Sequence, residues 1–196
     1  MVPNSKSSEA IIDNQSYKLI AFYFPGHNTP WDDYYQAPFL GNFWESKLMV
    51  NINNISGTFL TSEAAFQATK WWDNDSIRLR FENAKTGNEA FQIKKYLSVP
   101  ADYSYAGLGR DGAMMSILES KFTNKALKSA LINTGNSYLL EHNTTKGRDD
   151  YWSDDKDGIN GKNMLGITLM NLREKLGGFK SPYNGDIRAM SNLVKT

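Results

Sequence analysis

The segment from Gly147 to Gly166 constrains the fold more than any other part of the chain. It reads GRDDYWSDDKDGINGKNMLG, which is rich in acids, amides and glycines, and it leads directly into an apolar helix. Glycine allows the backbone to approach a ligand closely, and so many acids and amides do not fill a core. A polar loop that carries an aromatic side chain such as Trp152 is typical of a binding site. The segment therefore predicts a functional loop between a strand and a helix.

The chain has 196 residues, no cysteine and two histidines, His27 and His142. This length suits one domain better than two. Without cysteine, the chain has no disulfide, no thiol nucleophile and no thiolate metal site. With two histidines, a His-rich zinc site is nearly excluded. A net charge of +1 gives no electrostatic indication of a nucleic-acid binder.

The chain contains no apolar run near the ~18 residues that a membrane span requires. The N-terminal sequence MVPNSKSSEA also lacks the apolar core of a signal peptide. We therefore expect a cytoplasmic protein with no membrane partner.

The hydrophobic pattern predicts short strands and longer helices. Strands are expected at 17–24 and 138–141, a β-hairpin at 47–60, and helices at 61–72, 75–97, 111–122, 123–134 and 163–176. The prediction is an α+β fold, a single helix-rich domain over 17–178 with a small antiparallel sheet. Residues 25–38 contain three prolines and are expected to form a loop. Residues 1–16 are expected to be a flexible N-terminal segment, and 179–196 a C-terminal tail.

The helix that begins near Thr61 carries the clearest polar face. Thr61 or Ser62 can cap it, which places Glu63 in the first turn, where the helix dipole favours an anion. At 100° per residue, Glu63, Gln67 and Lys70 lie on one face. We therefore expect this face to line a cleft together with the loops at 107–111 and 149–163.

Each candidate residue has an ordinary structural alternative. Glu63 can be an acid–base group or only a helix-capping carboxylate. The loop acids, Asp154 among them, can supply the second carboxylate of a glycosidic cleavage or be solvated acids. Arg110 and Lys70 can hold phosphates or form salt bridges, and Asn42 can contact a base edge or serve a tight turn.

Two further interpretations of the acidic loop are weak. If Gly158 is the turn glycine of a calcium-binding EF-hand loop, the first ligand position falls on Ser153 and the twelfth on Met164, where a bidentate Glu is required. A helix that begins near Asn163 would present free N–H groups to a phosphate, but every helix start does so. The loop therefore predicts no metal site and gives only general support for phosphate binding.

Seven segments, in this order, resemble the NADAR family, which includes the YbiA-like N-glycosidases. The resemblance covers roughly 22–176. The segments are Phe22-Tyr23, Gly41-Asn42-Phe43, TSEAAFQATK at 61–70, Lys121-Phe122, Leu139-Leu140-Glu141-His142, Asp149 to Trp152, and GKNMLGITLMNLREKL at 161–176.

This resemblance implies hydrolysis of an N-glycosidic bond between ribose and a base-like group. The family's substrates include ADP-ribose attached to guanine and ribosylamino-pyrimidine phosphates of riboflavin synthesis. The resemblance assigns Glu63 and Asp154 as catalytic carboxylates. It implies a ligand-binding role for seven residues: Asn42, Phe43, Lys70, Arg110, Asp149, Trp152 and Asn163. No metal or redox cofactor is required.

The sequence favours an N-glycosidase acting on an ADP-ribosylated guanine or a related ribosyl nucleotide. The partner is then an ADP-ribosyl or ribosyl-phosphate small molecule or an ADP-ribosylated nucleic acid. Three departures from the family pattern keep alternatives open: Ala64 replaces a frequent His, Ser153 replaces a Gly, and no Trp lies near Ala106. The missing His and Trp motivate one alternative, a non-catalytic module that senses or sequesters ADP-ribose or NAD-like nucleotides. The missing Trp also weakens another alternative, an N-glycosidase of riboflavin-pathway intermediates.

Overall fold

Strands occur in both halves of the chain and helices dominate its middle. The computed structural model describes residues 2–25 and 29–195. The strands are β1 (Ser8–Ile12), β2 (Gln15–Phe22), β3 (Glu45–Ile52), β4 (Ile55–Thr61) and β5 (Tyr138–Glu141). The helices are α1 (Pro30–Tyr35), α2 (Ser62–Ala68), α3 (Asp75–Glu82), α4 (Gly87–Tyr96), α5 (Gly109–Lys121), α6 (Lys125–Asn133), α7 (Met164–Lys175) and α8 (Ile187–Ser191). Short 3-10 helices cover Pro38–Leu40 and Thr69–Trp71.

The chain divides into two compact units, which we name by their continuity. The discontinuous unit comprises Met1–Gly41 and Lys125–Thr196, and the contiguous unit comprises Asn42–Asn124.

The discontinuous unit is built on a three-stranded sheet in the order β1-β2-β5. β1 and β2 are antiparallel and are joined at Asp13 and Asn14, whose φ angles of 50° and 63° suit a tight hairpin turn. β2 and β5 are parallel, with Leu19 opposite Tyr138 and Phe22 opposite Glu141. Helix α7 packs against β5. The carboxyl ends of the parallel pair therefore lie at one edge of this sheet.

The contiguous unit combines a hairpin with helices. β3 and β4 pair antiparallel, and the turn residues Asn53 and Asn54 have φ angles of 53° and 63°. Helix α2 follows β4 directly and packs against α3, α4 and α5. Its alanine-rich sequence permits this close approach, because Ala64, Ala65 and Ala68 are completely buried.

The predicted fold class is confirmed: the chain is mixed, helix-rich, and carries small sheets. The predicted hairpin at 47–60, the strands, and the helices at 111–122 and 163–176 occur with small shifts at their ends. The predicted helix at 75–97 is interrupted, as the Thr86-Gly87 pair indicated, and Thr86 caps its second part. The sheet is antiparallel only in part, because β5 joins β2 in parallel to complete the unit's core.

Three segments expected to be irregular contain regular structure. Residues 8–12, placed in a flexible N-terminal segment, form β1 because their backbone pairs with β2. Residues 30–35, placed in a loop, form α1, whose first residue Pro30 suits the start of a helix. The C-terminal tail contains α8, which buries Met190.

Two further observations complete the fold. Within residues 2–25 and 29–195, no helix combines the length and apolar character needed to cross a membrane. His27, one of the two candidate histidines, lies outside the described residues.

Candidate functional site

The polar face of α2, continued by the 3-10 helix at Thr69–Trp71, carries a hydrogen-bonded line of three side chains. The Gln67 amide donates to Oε1 of Glu63 at 2.8 Å, and the Lys70 ammonium donates to Oε1 of Gln67 at 2.7 Å. All three side chains are buried. The prediction that they share one helix face is confirmed. Because Gln67 lies between the two charges, Lys70 and Glu63 are linked without a direct ion pair.

The start of α2 holds Glu63 in place. The Thr61 hydroxyl caps the helix by accepting from the backbone N–H of Ala64 at 3.1 Å. The N–H of Glu63 donates to the carbonyl oxygen of Asn42 at 2.9 Å. The Asn42 amide nitrogen donates to the sulfur of Met114 at 3.6 Å, while its buried Oδ1 has no hydrogen-bond partner among the described residues. Asn42 therefore presents an unsatisfied acceptor close to the catalytic candidate, where a ligand donor would satisfy it.

Lys70 lies among aromatic rings, with its Nζ 5.5 Å from the centroid of Phe66 and 5.6 Å from that of Tyr105. These two rings stack at 5.4 Å. Burial lowers the pKa of Lys70 to about 8, Lys94 adds to the decrease, and Glu63 opposes it. Burial therefore makes the charged form of Lys70 unfavourable. An anionic ligand next to the ammonium would stabilise that charged form.

Tyr105 lies beside Lys70, and the sequence analysis did not name it as a candidate. It lies in the Tyr- and Gly-rich loop before α5, with an unusual positive φ of 54°. Burial raises its pKa, and Arg110 opposes the increase. The closely spaced tyrosines of that loop were the sequence feature that could have indicated it.

Arg110 and Phe43 belong to the same unit. Arg110 is exposed at the start of α5. Phe43 is half-buried, and its ring fills the space beside Gly87 so closely that an added Cβ would collide with it. The predicted roles in phosphate binding and base stacking stay predictions.

Asp154 is fully buried in the discontinuous unit. Its Oδ2 lies 2.6 Å from Nδ1 of His142, and its Oδ1 accepts from the backbone N–H groups of Asn143 and Lys156, both at 3.0 Å. Both carboxylate oxygens are therefore engaged within the protein. The predicted catalytic role of Asp154 stays a prediction.

Asn163 joins the polar loop to the sheet. It adopts the left-handed conformation, with φ 49°, at the start of α7. Its Oδ1 accepts from the N–H of Glu141 at 2.9 Å, and its Nδ2 donates to the carbonyl of Leu139 at 2.9 Å and to the Tyr138 hydroxyl at 3.2 Å. The side chain is fully buried, so Asn163 shapes the loop from within, and its predicted ligand contact stays a prediction.

Asp149 and Trp152 lie in the outer turn of the same loop. Oδ1 of Asp149 accepts from the N–H groups of Tyr151 at 3.1 Å and Trp152 at 2.9 Å. Burial raises the pKa of Asp149. Trp152 is half-buried, and its ring meets Tyr151 edge-on at 5.0 Å. Asp149 therefore holds the turn that positions the Trp152 ring.

The predicted residues fall into two groups. Asn42, Phe43, Glu63, Lys70 and Arg110 belong to the contiguous unit, and Asp149, Trp152, Asp154 and Asn163 belong to the discontinuous unit. The expectation that both groups contact one substrate stays a prediction.

Comparison with known proteins agrees with the resemblance seen in the sequence. Residues 24–177 match the family model described as the NADAR domain. The chain is 33% identical over 120 residues to the N-glycosidase YbiA of Shigella boydii serotype 4 (strain Sb227), a match that covers 61% of this chain and 71% of that protein. The N-glycosidase YbiA of Escherichia coli (strain K12) matches with the same identity and coverage.

The fold is also similar to the solved NMR structure of the E. coli protein YbiA. The TM-score is 0.64 at 26% identity, over 90% of this chain and 94% of that one. The order of motifs, the fold and the family match agree, and the chain therefore belongs to the NADAR domain family.

Proposed function

We propose that this chain is an N-glycosidase, a hydrolase that cleaves the bond between C1′ of a ribose and a base. Its relatives that are named N-glycosidases support this activity. Among the groups described above, the line from Glu63 through Gln67 to Lys70 carries the proposal, because it joins a buried carboxylate to a buried cation on one helix face.

Glu63 has the features that hydrolysis at C1′ needs. A carboxylate beside C1′ stabilises the positive charge that develops on the ribose and can accept a proton from the attacking water. Burial strengthens this electrostatic effect, because little water screens it. The Gln67 amide fixes one carboxylate oxygen at 2.8 Å and thus sets the direction of the group.

The charges near α2 support a phosphate-bearing substrate. Lys70 and Lys94 interact electrostatically, and Arg110 influences Tyr105, whose ring lies beside Lys70. Such a group of cations and aromatic rings suits a diphosphate and a nearby ring. The proposed substrate is therefore ADP-ribose linked to guanine or a related ribosyl nucleotide, with Phe43 stacking on the base.

A second candidate is a module that binds ADP-ribose without turnover. The burial of Asp154 favours it, because both oxygens of the second expected carboxylate are occupied within the protein. This candidate predicts nucleotide binding with no release of base.

The test is chromatographic detection of released base. The unmodified protein and Glu63→Gln are incubated with ADP-ribosylated guanosine, ADP-ribosylated single-stranded DNA and a ribosylamino-pyrimidine phosphate. Glu63→Gln is expected to lose about 10²–10⁴-fold in rate. Glu89→Gln is the matched control, because Glu89 is also a first-turn carboxylate but is exposed on α4.

Each outcome discriminates. Release by the unmodified protein and the control alone supports the glycosidase and identifies the substrate. Glu63→Gln with an unchanged rate removes Glu63 from the chemistry. No release from any substrate, with ADP-ribose bound in calorimetry, supports the binding module.

A further inference from the structure

A groove of about 530 Å³ lies between two segments of the contiguous unit. One segment, 70–76, runs from the 3-10 helix after α2 into the start of α3, and the other, 99–102, follows α4. This volume is in the range of pockets that hold small molecules. Lys70 belongs both to the polar line of Glu63, Gln67 and Lys70 and to the lining of the groove. The groove therefore adjoins the site proposed above.

Two hydrogen bonds hold the segments of the groove together. The backbone N–H of Asp102 donates to the carbonyl oxygen of Lys70 at 2.8 Å, and Nε1 of Trp71 donates to the carbonyl oxygen of Val99 at 3.0 Å. The Trp71 ring also stacks on Phe81 at 5.9 Å, which fixes its orientation. The groove is therefore formed before a ligand binds, and this preorganisation lowers the entropic cost of binding.

The lining combines apolar and acidic side chains. Val99 and Trp71 supply apolar surface, and Asp73, Asp75 and Asp102 supply carboxylates. These acids disfavour a phosphate in the groove itself, because like charges repel. Among the described residues, no group of three acidic or histidine side chains is placed to hold a metal ion. Apolar surface beside hydrogen-bond acceptors suits a nucleoside, which has a flat base and a ribose with two hydroxyl groups.

Asp73 is the acid of the groove that is available to a ligand. Asp75 pairs with Arg78 at 2.7 Å, and both carboxylate oxygens of Asp102 accept from Ser104, at 2.8 and 2.6 Å. Asp73 is exposed, and its carboxylate makes no hydrogen bond or ion pair with any described residue. A carboxylate has two acceptor oxygens, and acidic residues commonly bind the hydroxyl groups of a ribose in this way.

We propose that this groove is a nucleoside subsite, which binds the adenosine half of ADP-ribose while Lys70 holds the diphosphate. This inference rests on the proposed function, because it identifies which of the substrate classes named there the site accepts. Asp73 accepts hydrogen bonds from the hydroxyl groups of the adenosine ribose, and the base packs against Val99. A substrate that ends in a single phosphate has no group to place in the groove. The subsite therefore selects an ADP-ribosyl group over a ribosyl monophosphate.

The test is calorimetric titration of the unmodified protein and Asp73→Ala with ADP-ribose, with an analogue that lacks both hydroxyl groups of the adenosine ribose, and with ribose 5-phosphate. Asp73→Ala is expected to bind ADP-ribose about tenfold more weakly, because hydrogen bonds to a charged group are lost. The analogue is expected to lose as much with the unmodified protein and little more with Asp73→Ala, because the hydroxyl groups and the carboxylate form one shared interaction. Ribose 5-phosphate is expected to bind both proteins equally.

The sign of the change separates a direct contact from a long-range effect of charge. Removal of a negative charge near a diphosphate strengthens binding by electrostatics alone, so weaker binding by Asp73→Ala identifies a contact. Glu45→Ala is the matched control and is expected to keep its affinity, because Glu45 is exposed in the same unit and does not line the groove. Ser76→Tyr places a ring in the groove and removes no side-chain hydrogen bond that the structure describes. It is expected to weaken binding of ADP-ribose at least tenfold and to leave ribose 5-phosphate unaffected.

The outcomes separate this subsite from the proposed activity. Unchanged affinity of either Asp73→Ala or Ser76→Tyr for ADP-ribose would overturn the subsite, and so would an analogue that binds as tightly as ADP-ribose. Release of base from a ribosylamino-pyrimidine phosphate, without measurable binding of ADP-ribose, would retain the glycosidase and remove the subsite. Binding of ADP-ribose that depends on Asp73, without release of base from any substrate, would retain the subsite and remove the glycosidase.

Discussion

The low pKa of Lys70 predicts that ligand binding changes with pH in a range where lysine is normally unaffected. With a pKa of about 8, the ammonium is roughly 90% charged at pH 7 and roughly 10% charged at pH 9. If only the charged form binds a phosphate, the affinity for ADP-ribose falls about tenfold over this interval. An unperturbed lysine would remain charged throughout.

The assay is isothermal titration calorimetry with ADP-ribose at pH 7, 8 and 9 and constant ionic strength. Lys70→Arg is expected to bind with little pH dependence, because a guanidinium stays charged. Lys70→Met is expected to bind weakly at every pH. Lys94→Gln provides a causal check, because removing this positive charge is expected to move the transition of Lys70 to higher pH.

Two results would refute the reasoning. An affinity of the unmodified protein that is constant from pH 7 to 9 would show that the charge of Lys70 does not contribute. The same tenfold decline in Lys70→Met would assign the pH dependence to another group.

Three further predictions concern stability. Burial raises the pKa of Asp32 to about 6, with Asp33 contributing, so the folded state holds this proton more tightly and stability falls as pH rises from about 4 to 6. Asp32→Asn is expected to remove this fall and to add about 1–2 kcal/mol to the free energy of unfolding at pH 7, measured by urea denaturation. Asn163→Ala leaves the N–H of Glu141 and the carbonyl of Leu139 without their partner, and is expected to cost about 2–4 kcal/mol in the same assay. Thr61→Ala removes the cap of α2 and is expected to cost about 1 kcal/mol, whereas Thr61→Ser retains most of it, as thermal unfolding would show.

The grouping of the polar side chains on α2 was predictable because residues three or four apart in a helix lie on the same face. Glu63, Gln67 and Lys70 are separated by four and three residues, which places them on one face whatever surrounds the helix. The capping role of Thr61 was predictable for the same local reason.

The pair of His142 and Asp154 was not predictable in this way. The two residues are twelve positions apart in the sequence. The loop between them has no helical or strand periodicity from which their contact could be predicted. The backbone path of this loop depends on Asp155 and Lys156, which have positive φ angles of 50° and 81°. The identity of these two residues does not predict such angles. Family resemblance indicated the acid but not the ring that it holds.

Strand β1 escaped prediction because its sequence is mostly polar or small. Only alternate residues, Ser8 and Ala10, face the interior, and neither is strongly hydrophobic. Pairing with β2 stabilises β1. The strand propensity of the individual residues does not reflect this interaction.

The insertion of the contiguous unit between β2 and β5 has a consequence for the order of events during synthesis. Residues 42–124 emerge from the ribosome as one uninterrupted stretch, so this unit can fold as soon as it is released. The parallel pairing that joins Leu19 to Tyr138 must wait for residues that are translated much later. Until then β2 has β1 alone as a partner, and its other edge is open to incorrect pairing. The nascent chain can therefore contain the complete helix α2, which bears Glu63, before β5 and the His142 that follows it have been translated.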